Sequence, residues 1–252
     1  MFRTFLTKIS LRFSEYVLTV SKYSMTRINY HFGLTLSLNQ VLPNAVGSEF
    51  SKGRSKVNSR ERVRQDYGLE RFFLYVSRIE PRKNHELLLQ WYREGSYWNQ
   101  GLQLVFVGKY ALDSEKRFRR EFHSLSMESK GSFKHFPQVD NGLLLDLYNS
   151  AELFVFPSLC EGFGIPPLEA AVMGTPVLSS NLTAMADFDF FKEYHLDPRM
   201  NNFSEMLSTI AKKGNSTDRS NIENNAASIL KSYNWSIGAS KLMKILNDES
   251  SN

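Results

Sequence analysis

The sequence predicts an α/β fold: a doubly wound, mostly parallel sheet with helices on both faces. Three observations carry this. From Phe72 onward, short apolar runs rich in β-formers alternate with helical patterns. One such run, residues 153–156, leads through a glycine turn and a helix into a second β-branched run, which is a βαβ unit with parallel strands. The chain has 252 residues, 42% hydrophobic and 23% charged, the composition of a soluble globular protein able to bury a sizeable core.

The elements follow in order. Phe2, Phe5, Leu6, Ile9 and Phe13 recur at three- and four-residue steps, one stripe of a helix with Arg3, Lys8 and Arg12 off it. A helix packed on its own domain and a helix lying in a membrane interface both give this pattern. Residues 16–20 read as a strand and 21–32 as a helix. Residues 47–64 are rich in Ser, Gly, Lys and Arg and read as an interdomain linker, with the boundaries set at 1–46, 47–70 and 71–252. Residues 72–76 are the first strand of the sheet. Asn84 caps a helix over 85–93, and 102–107 form the second strand, closed by Gly108. A charged helix covers 114–126, a short strand 133–136, and a helix 143–150. After the βαβ unit, the pattern is helical from Phe203 to the end, with a last helix over 235–246.

Composition sets limits on function. No run of about 18 apolar residues exists, so no membrane span is expected. Arg3, Lys8 and Arg12 break the apolar N-terminus and argue against a cleaved signal peptide. The single cysteine, Cys160, forms no internal disulfide, which fits a reducing, cytoplasmic compartment. Net charge is +5, and residues 1–66 hold 11 Lys+Arg against 4 Asp+Glu, a local +7. A basic front segment suits nucleic acid, an anionic membrane surface or plain solvation. No nucleic-acid motif accompanies it, so no nucleic-acid partner is expected.

The chemistry is concentrated in residues 153–180, LFVFPSLCEGFGIPPLEAAVMGTPVLSS. Gly162 and Gly164 let a ligand approach the backbone amides. Pro166 and Pro167 open a helix whose N-terminus faces the same turn, and the two together favour a phosphate. Glu161 stands on the rim and Glu169 eight residues later, in the first turn of the predicted helix. Two carboxylates flanking a phosphate site suit a ligand with phosphates at its centre and hydroxyls at both ends, as in a nucleotide sugar. Arg78 and Lys83 follow the first strand, where ligands of open α/β sheets sit, and two cations there neutralise a diphosphate. Arg82 is available as well. Asp187-Phe188-Asp189 has the paired carboxylates of a divalent-cation site, but the triplet is short and nothing around it supports that reading. The five histidines show no ligand spacing, so no metal and no cofactor are expected.

The ten residues from Glu161 to Ala170 resemble the donor-site signature of retaining glycosyltransferases with the GT-B fold, family four, the "glycosyl transferases group one" domain. The resemblance spans about residues 15–250 and implies a Rossmann-like donor domain. It implies transfer of a sugar from a nucleotide-diphosphate donor to an acceptor hydroxyl, in cell-surface glycan synthesis. Arg78 and Lys83 would stabilise the leaving diphosphate, Glu161 would orient the donor sugar, and Glu169 would hold the ribose. Gly108, Val139, Gly162, Phe163, Gly164 and Ile165 complete the donor site. Pro137 replaces a frequent glycine beside Val139, the place where the base is met. The acceptor would be a glycan or a lipid-linked molecule.

Residues 15–32 resemble the last strand and helix of the family's N-terminal, acceptor-binding domain, and 40–44 the strand after it. The chain thus reads as starting near that domain's end: a fragment, a truncated frame or half of a split enzyme. As such a half, it would bind a nucleotide sugar and need a partner for catalysis. Apolar residues in the first and last helices admit a partner chain, a second copy of the chain or the inner membrane face as their cover.

Overall fold

The protein is described from a computed structural model covering residues 2–50, 53–111, 115–129, 131–213 and 219–248. Its centre is a six-stranded parallel sheet in the order β3-β2-β1-β4-β5-β6. The strands are β1 (Arg71–Val76), β2 (Leu102–Val107), β3 (Phe133–Phe136), β4 (Leu153–Phe156), β5 (Val177–Ser180) and β6 (His195–Leu196). Phe72 to Tyr75 and all four residues of β4 are buried, as expected for strands covered on both faces. From β1 the order runs one way to β3; from β4 it runs the other way to β6. The reversal lies between β1 and β4, and in a parallel sheet the loops after both strands emerge at the same edge. A crevice opens there.

Ten α-helices are described: α1 (Phe2–Phe13), α2 (Lys22–Phe32), α3 (Lys56–Tyr67), α4 (His85–Gly95), α5 (Glu115–Glu128), α6 (Asn141–Ser150), α7 (Ile165–Val172), α8 (Asn201–Lys213), α9 (Arg219–Ser232) and α10 (Trp235–Asp248). Those between strands complete the parallel crossovers that the alternation predicts. None is long and apolar enough to cross a membrane. Residue 114, the predicted start of α5, lies outside the described residues.

Three expectations need correction. The polar stretch read as linker contains α3, a helix with Ser55 capping its N-terminus and Gly68, in the left-handed conformation, at its C-terminus. It lacks an apolar stripe because polar contacts hold it. Asp146 of α6, only 8% exposed, accepts from Arg62 Nε at 2.7 Å, Arg62 Nη2 at 2.6 Å and Ser59 Oγ at 2.6 Å. Burial raises the Asp146 carboxyl, but the bonds from Arg62 and Ser59 and the charge of Arg54 outweigh it, leaving the group below its usual range. Second, the strands expected near residues 16–20 and 40–44 shrink to one parallel bridge, Thr19 to Val41. Two short segments with no third strand gain too little to form a sheet. Third, Asn84 takes the cap position of α4 but sits at φ 56 and makes no side-chain cap bond. Its backbone N–H instead closes the turn after Pro81.

The front segment is nonetheless tied to the far end of the chain. Lys241 of α10 donates to the carbonyls of Leu38 (3.1 Å) and Val41 (2.7 Å). Phe5, Leu6, Ile9 and Phe13 of α1 stay exposed, as do Trp235, Ile237, Met243 and Leu246 of α10. The side chains of Phe2 and Arg3 lie outside the described part of the protein.

Candidate donor-binding site

The loop after β1 is short and stiff. Ser77 donates its backbone N–H to Val107, and Ile79 pairs with Tyr110 beyond the end of β2, so the two strand tails stay together. Gly108 makes this closeness feasible. At φ 145, a Cβ there would lie 1.9 Å from the Ser77 carbonyl oxygen. Its glycine character therefore serves strand packing at the site's edge. Beyond Ile79, a 3-10 turn (Pro81–Lys83) carries Arg82 and Lys83. Tyr75 donates to the Lys83 carbonyl at 2.5 Å and fixes that backbone from beneath.

The loop after β4 meets this turn across the crevice. Leu159 N–H bonds to the Arg82 carbonyl at 2.8 Å. Lys83 Nζ lies 2.5 Å from Glu161 Oε1, and Arg82 Nη1 lies 3.2 Å from Glu161 Oε2. Lys83 and Glu161 are 11% and 8% exposed, so this pair is largely withdrawn from water. Lys83 also lies over the Phe156 ring, 5.5 Å from its centre. Arg78 stands further out, exposed, with no ion pair among the described residues. The structure thus joins two of the three predicted catalytic side chains directly and leaves the third exposed to solvent.

The glycine turn is held from two sides. Glu161 N–H donates to Thr183 Oγ1 at 2.9 Å, and Ser24 of α2 donates to the Gly162 carbonyl at 3.3 Å. Gly162 is open on its outer side. At Gly164, φ is 111 and a Cβ would collide with Met185 Sδ, so this glycine answers to packing as well as to ligand approach. The Phe163 side chain turns away into a cluster with Phe188 and Tyr233, each ring centre 5.6 Å distant. Only the backbone of Phe163 remains available to a ligand. Helix α7 begins at Ile165, with Gly164 at its cap and no side-chain cap bond. Pro166 and Pro167 carry no N–H, so among its first three positions only Ile165 offers a donor, and the helix dipole adds to it at the same place.

Because α7 starts at Ile165, Glu169 falls in its second turn rather than its first. It is half-buried and accepts from Tyr148 at 2.9 Å. Burial raises its carboxyl above the ordinary range; the Tyr148 bond opposes this and Glu49 adds to it. Val139, half-buried, follows β3 at the same edge and packs on the core. Asp187 and Asp189 sit on either side of the buried Phe188. Among the described residues, no group of three or more His, Cys, Asp or Glu side chains is arranged to hold a metal.

Residue-type reasoning missed the contributions of Ser24, Tyr75, Tyr148 and Thr183. None belongs to a local motif, and their partners lie 8 to 138 residues away in sequence. His85 was likewise unassigned. It stacks on Tyr75 with ring centres 4.5 Å apart, and burial lowers its pKa to about 3, so it is a neutral core residue.

Known proteins share the sequence pattern and the fold of this chain. The chain is 34% identical over 160 residues to a serotype-specific mannosyltransferase WbdA of Escherichia coli, which covers 62% of this chain and 19% of that protein. It is 29% identical over 180 residues to the O-antigen chain mannosyltransferase RfbU of Salmonella typhimurium, covering 71% and 45%. The chain thus spans less than half the length of these relatives. Its fold matches a sucrose-phosphate synthase from Thermosynechococcus elongatus with TM-score 0.78 at 21% identity, over 99% of this chain and 62% of that one. It also matches Anabaena HepE in complex with UDP and glucose, with TM-score 0.69 at 17% identity over 96% and 64%. These neighbours are GT-B glycosyltransferases. The sequence profile described as "Glycosyl transferases group 1" matches residues 59–228, from α3 through the crevice loops to α9, and by that match the chain belongs to this family.

Proposed function

We propose that the chain binds a nucleotide-diphosphate hexose in the crevice between the loops after β1 and β4. The bound donor serves transfer of the hexose to an acceptor hydroxyl with retention of anomeric configuration, on the cytoplasmic side, in cell-surface glycan synthesis. Mannose is the first candidate sugar, because the relatives are named as mannosyltransferases. The observation that carries this reading is the Lys83–Glu161 pair, set across the crevice beside the uncapped start of α7. When the bond between sugar and diphosphate breaks, negative charge gathers on the diphosphate. Lys83, Arg78 and the α7 N-terminus stabilise that charge, and a fixed dipole gains most in a site shielded from water. Glu161 accepts from sugar hydroxyls and Glu169 from the ribose. These cations fill the role of a divalent metal, and none is required in this reading.

In a second reading these residues are a donor-binding module that turns over only beside an acceptor-binding domain; the chain spans less than half the length of its curated relatives, which agrees with it. One experiment separates the two. GDP-mannose, UDP-glucose and dTDP-glucose are titrated calorimetrically, then tested for sugar release to an acceptor with and without neighbouring gene products. Binding is expected to persist in EDTA. It is expected to weaken about 10- to 100-fold in both Arg78→Ala and Lys83→Ala, the loss of one charge-assisted contact. Unchanged affinity in both variants overturns the site. Binding without transfer by the lone chain selects the second reading.

A further inference from the structure

Lys83 is committed twice: it pairs with Glu161, and the proposed chemistry needs it on the diphosphate. If Lys83 turns to a phosphate, Glu161 loses its nearest cation, and a nearly buried carboxylate left without a partner is costly. The same residues show how this is avoided. Arg82 Nη1 lies 3.2 Å from Glu161 Oε2 and donates to the Cys160 carbonyl at 2.8 Å. Its Nη2 lies 2.6 Å from Glu80 Oε1. Its own carbonyl accepts from Leu159 N–H and from Ser158 Oγ. One residue is therefore fixed by main chain and side chain on both walls of the crevice, although its side chain is 46% exposed.

We propose that Arg82 is a positioning residue for Glu161: the stationary counter-charge that keeps this carboxylate aimed at the donor sugar while Lys83 transfers to the diphosphate. The chemistry of the two cations fits the division. An ammonium is a point charge on a flexible stem that exchanges partners readily. A guanidinium is a planar fork that holds several acceptors at once. Because Nη1 grips both the Glu161 carboxylate and the Cys160 carbonyl, Arg82 fixes the side chain and the loop that carries it.

This inference rests on the donor-site reading and deepens it, and the test keeps the two apart. The probes are GDP-mannose with GDP and UDP-glucose with UDP, titrated into the wild-type chain, Arg82→Ala and Arg82→Lys. The quantity read is the extra affinity that the sugar adds to its nucleotide. In Arg82→Ala this increment is expected to fall about tenfold or more, with the free nucleotide changed less than about threefold. Arg82→Lys, which restores charge without the fork, is expected to recover part of it; a purely steric role in the loop gives no such rescue. Equal losses for nucleotide and nucleotide sugar overturn the inference, since Arg82 is then a diphosphate ligand itself. No change in either ligand overturns it too, as does a wild-type chain that gains no affinity from either sugar. A wild-type chain that binds neither nucleotide overturns the donor-site reading beneath it. Should Arg82→Ala fail to fold by circular dichroism, Arg82→Gln takes its place.

Discussion

At the scale of single residues, the two glutamates share a residue type and differ in surroundings. Glu161 is nearly buried between two cations, whereas Glu169 is half-buried against a tyrosine hydroxyl. If Glu169 holds the ribose as proposed, free nucleotide binding is expected to weaken in Glu169→Gln and to survive in Glu161→Gln, where only the nucleotide sugar suffers. Calorimetry with both ligands checks this; equal effects in the two variants contradict the division of roles. Glu169 adds a pH dependence. Burial favours its neutral form, so its carboxyl titrates above the usual range. Ribose hydroxyls donate to the ionised form, so nucleotide affinity is expected to fall as pH drops through that raised range. Glu169→Gln should flatten the acid side of the profile. Much of this was readable from residue types at their spacing. What was not readable is that Gly164 and Phe163 answer to Met185, Phe188 and Tyr233, since those neighbours arrive from later in the chain.

At the scale of elements, α3 shows where pattern reading ends. Its sequence, KVNSRERVRQDY, has only Val57 and Val63 as aliphatic residues, and Val57 is 76% exposed. Hydrophobic periodicity finds nothing there, although Ser55 and Gly68 were available as start and stop signals. The helix is instead docked by Asp146, the sixth residue of α6, far along the chain. Asp146→Ala is expected to lower stability by about 1–2 kcal/mol, because it removes the acceptor of the buried Ser59 hydroxyl, while the exposed Arg62 returns to water. Val57→Ala should leave stability almost unchanged. Denaturant unfolding checks both, and hydrogen exchange in Asp146→Ala should rise first in α3. Uniform exchange across the protein would show that α3 does not depend on this contact.

At the scale of the whole molecule, the exposed apolar side chains of α1 and α10 await a cover. Phe13 is 81% exposed and Trp235 60%. Burying a large apolar side chain is worth roughly 1.5–3 kcal/mol, so a patch of this kind favours association. Lys8 and Arg12 flank the α1 stripe and suit an anionic surface. The purified chain is expected to scatter light as more than a monomer, or to sediment with anionic vesicles. A monomer that ignores both vesicles and dyes for apolar surface would show that these helices are content in water.

Strands 102–107, 133–136 and 153–156 were legible in the sequence to the residue, as was the parallel α/β class, and Lys83, Glu161, Gly164 and Glu169 stood out there as motif residues. These depend on local signals: apolar β-rich runs, glycine turns and prolines act within a few residues. The folded chain alone shows that β1 and β4 are neighbours, that Lys83 faces Glu161, and that Arg82 spans both loops. Those facts follow from strand order and ion pairing between segments nearly eighty residues apart. No local pattern encodes them, because charge and packing act through space.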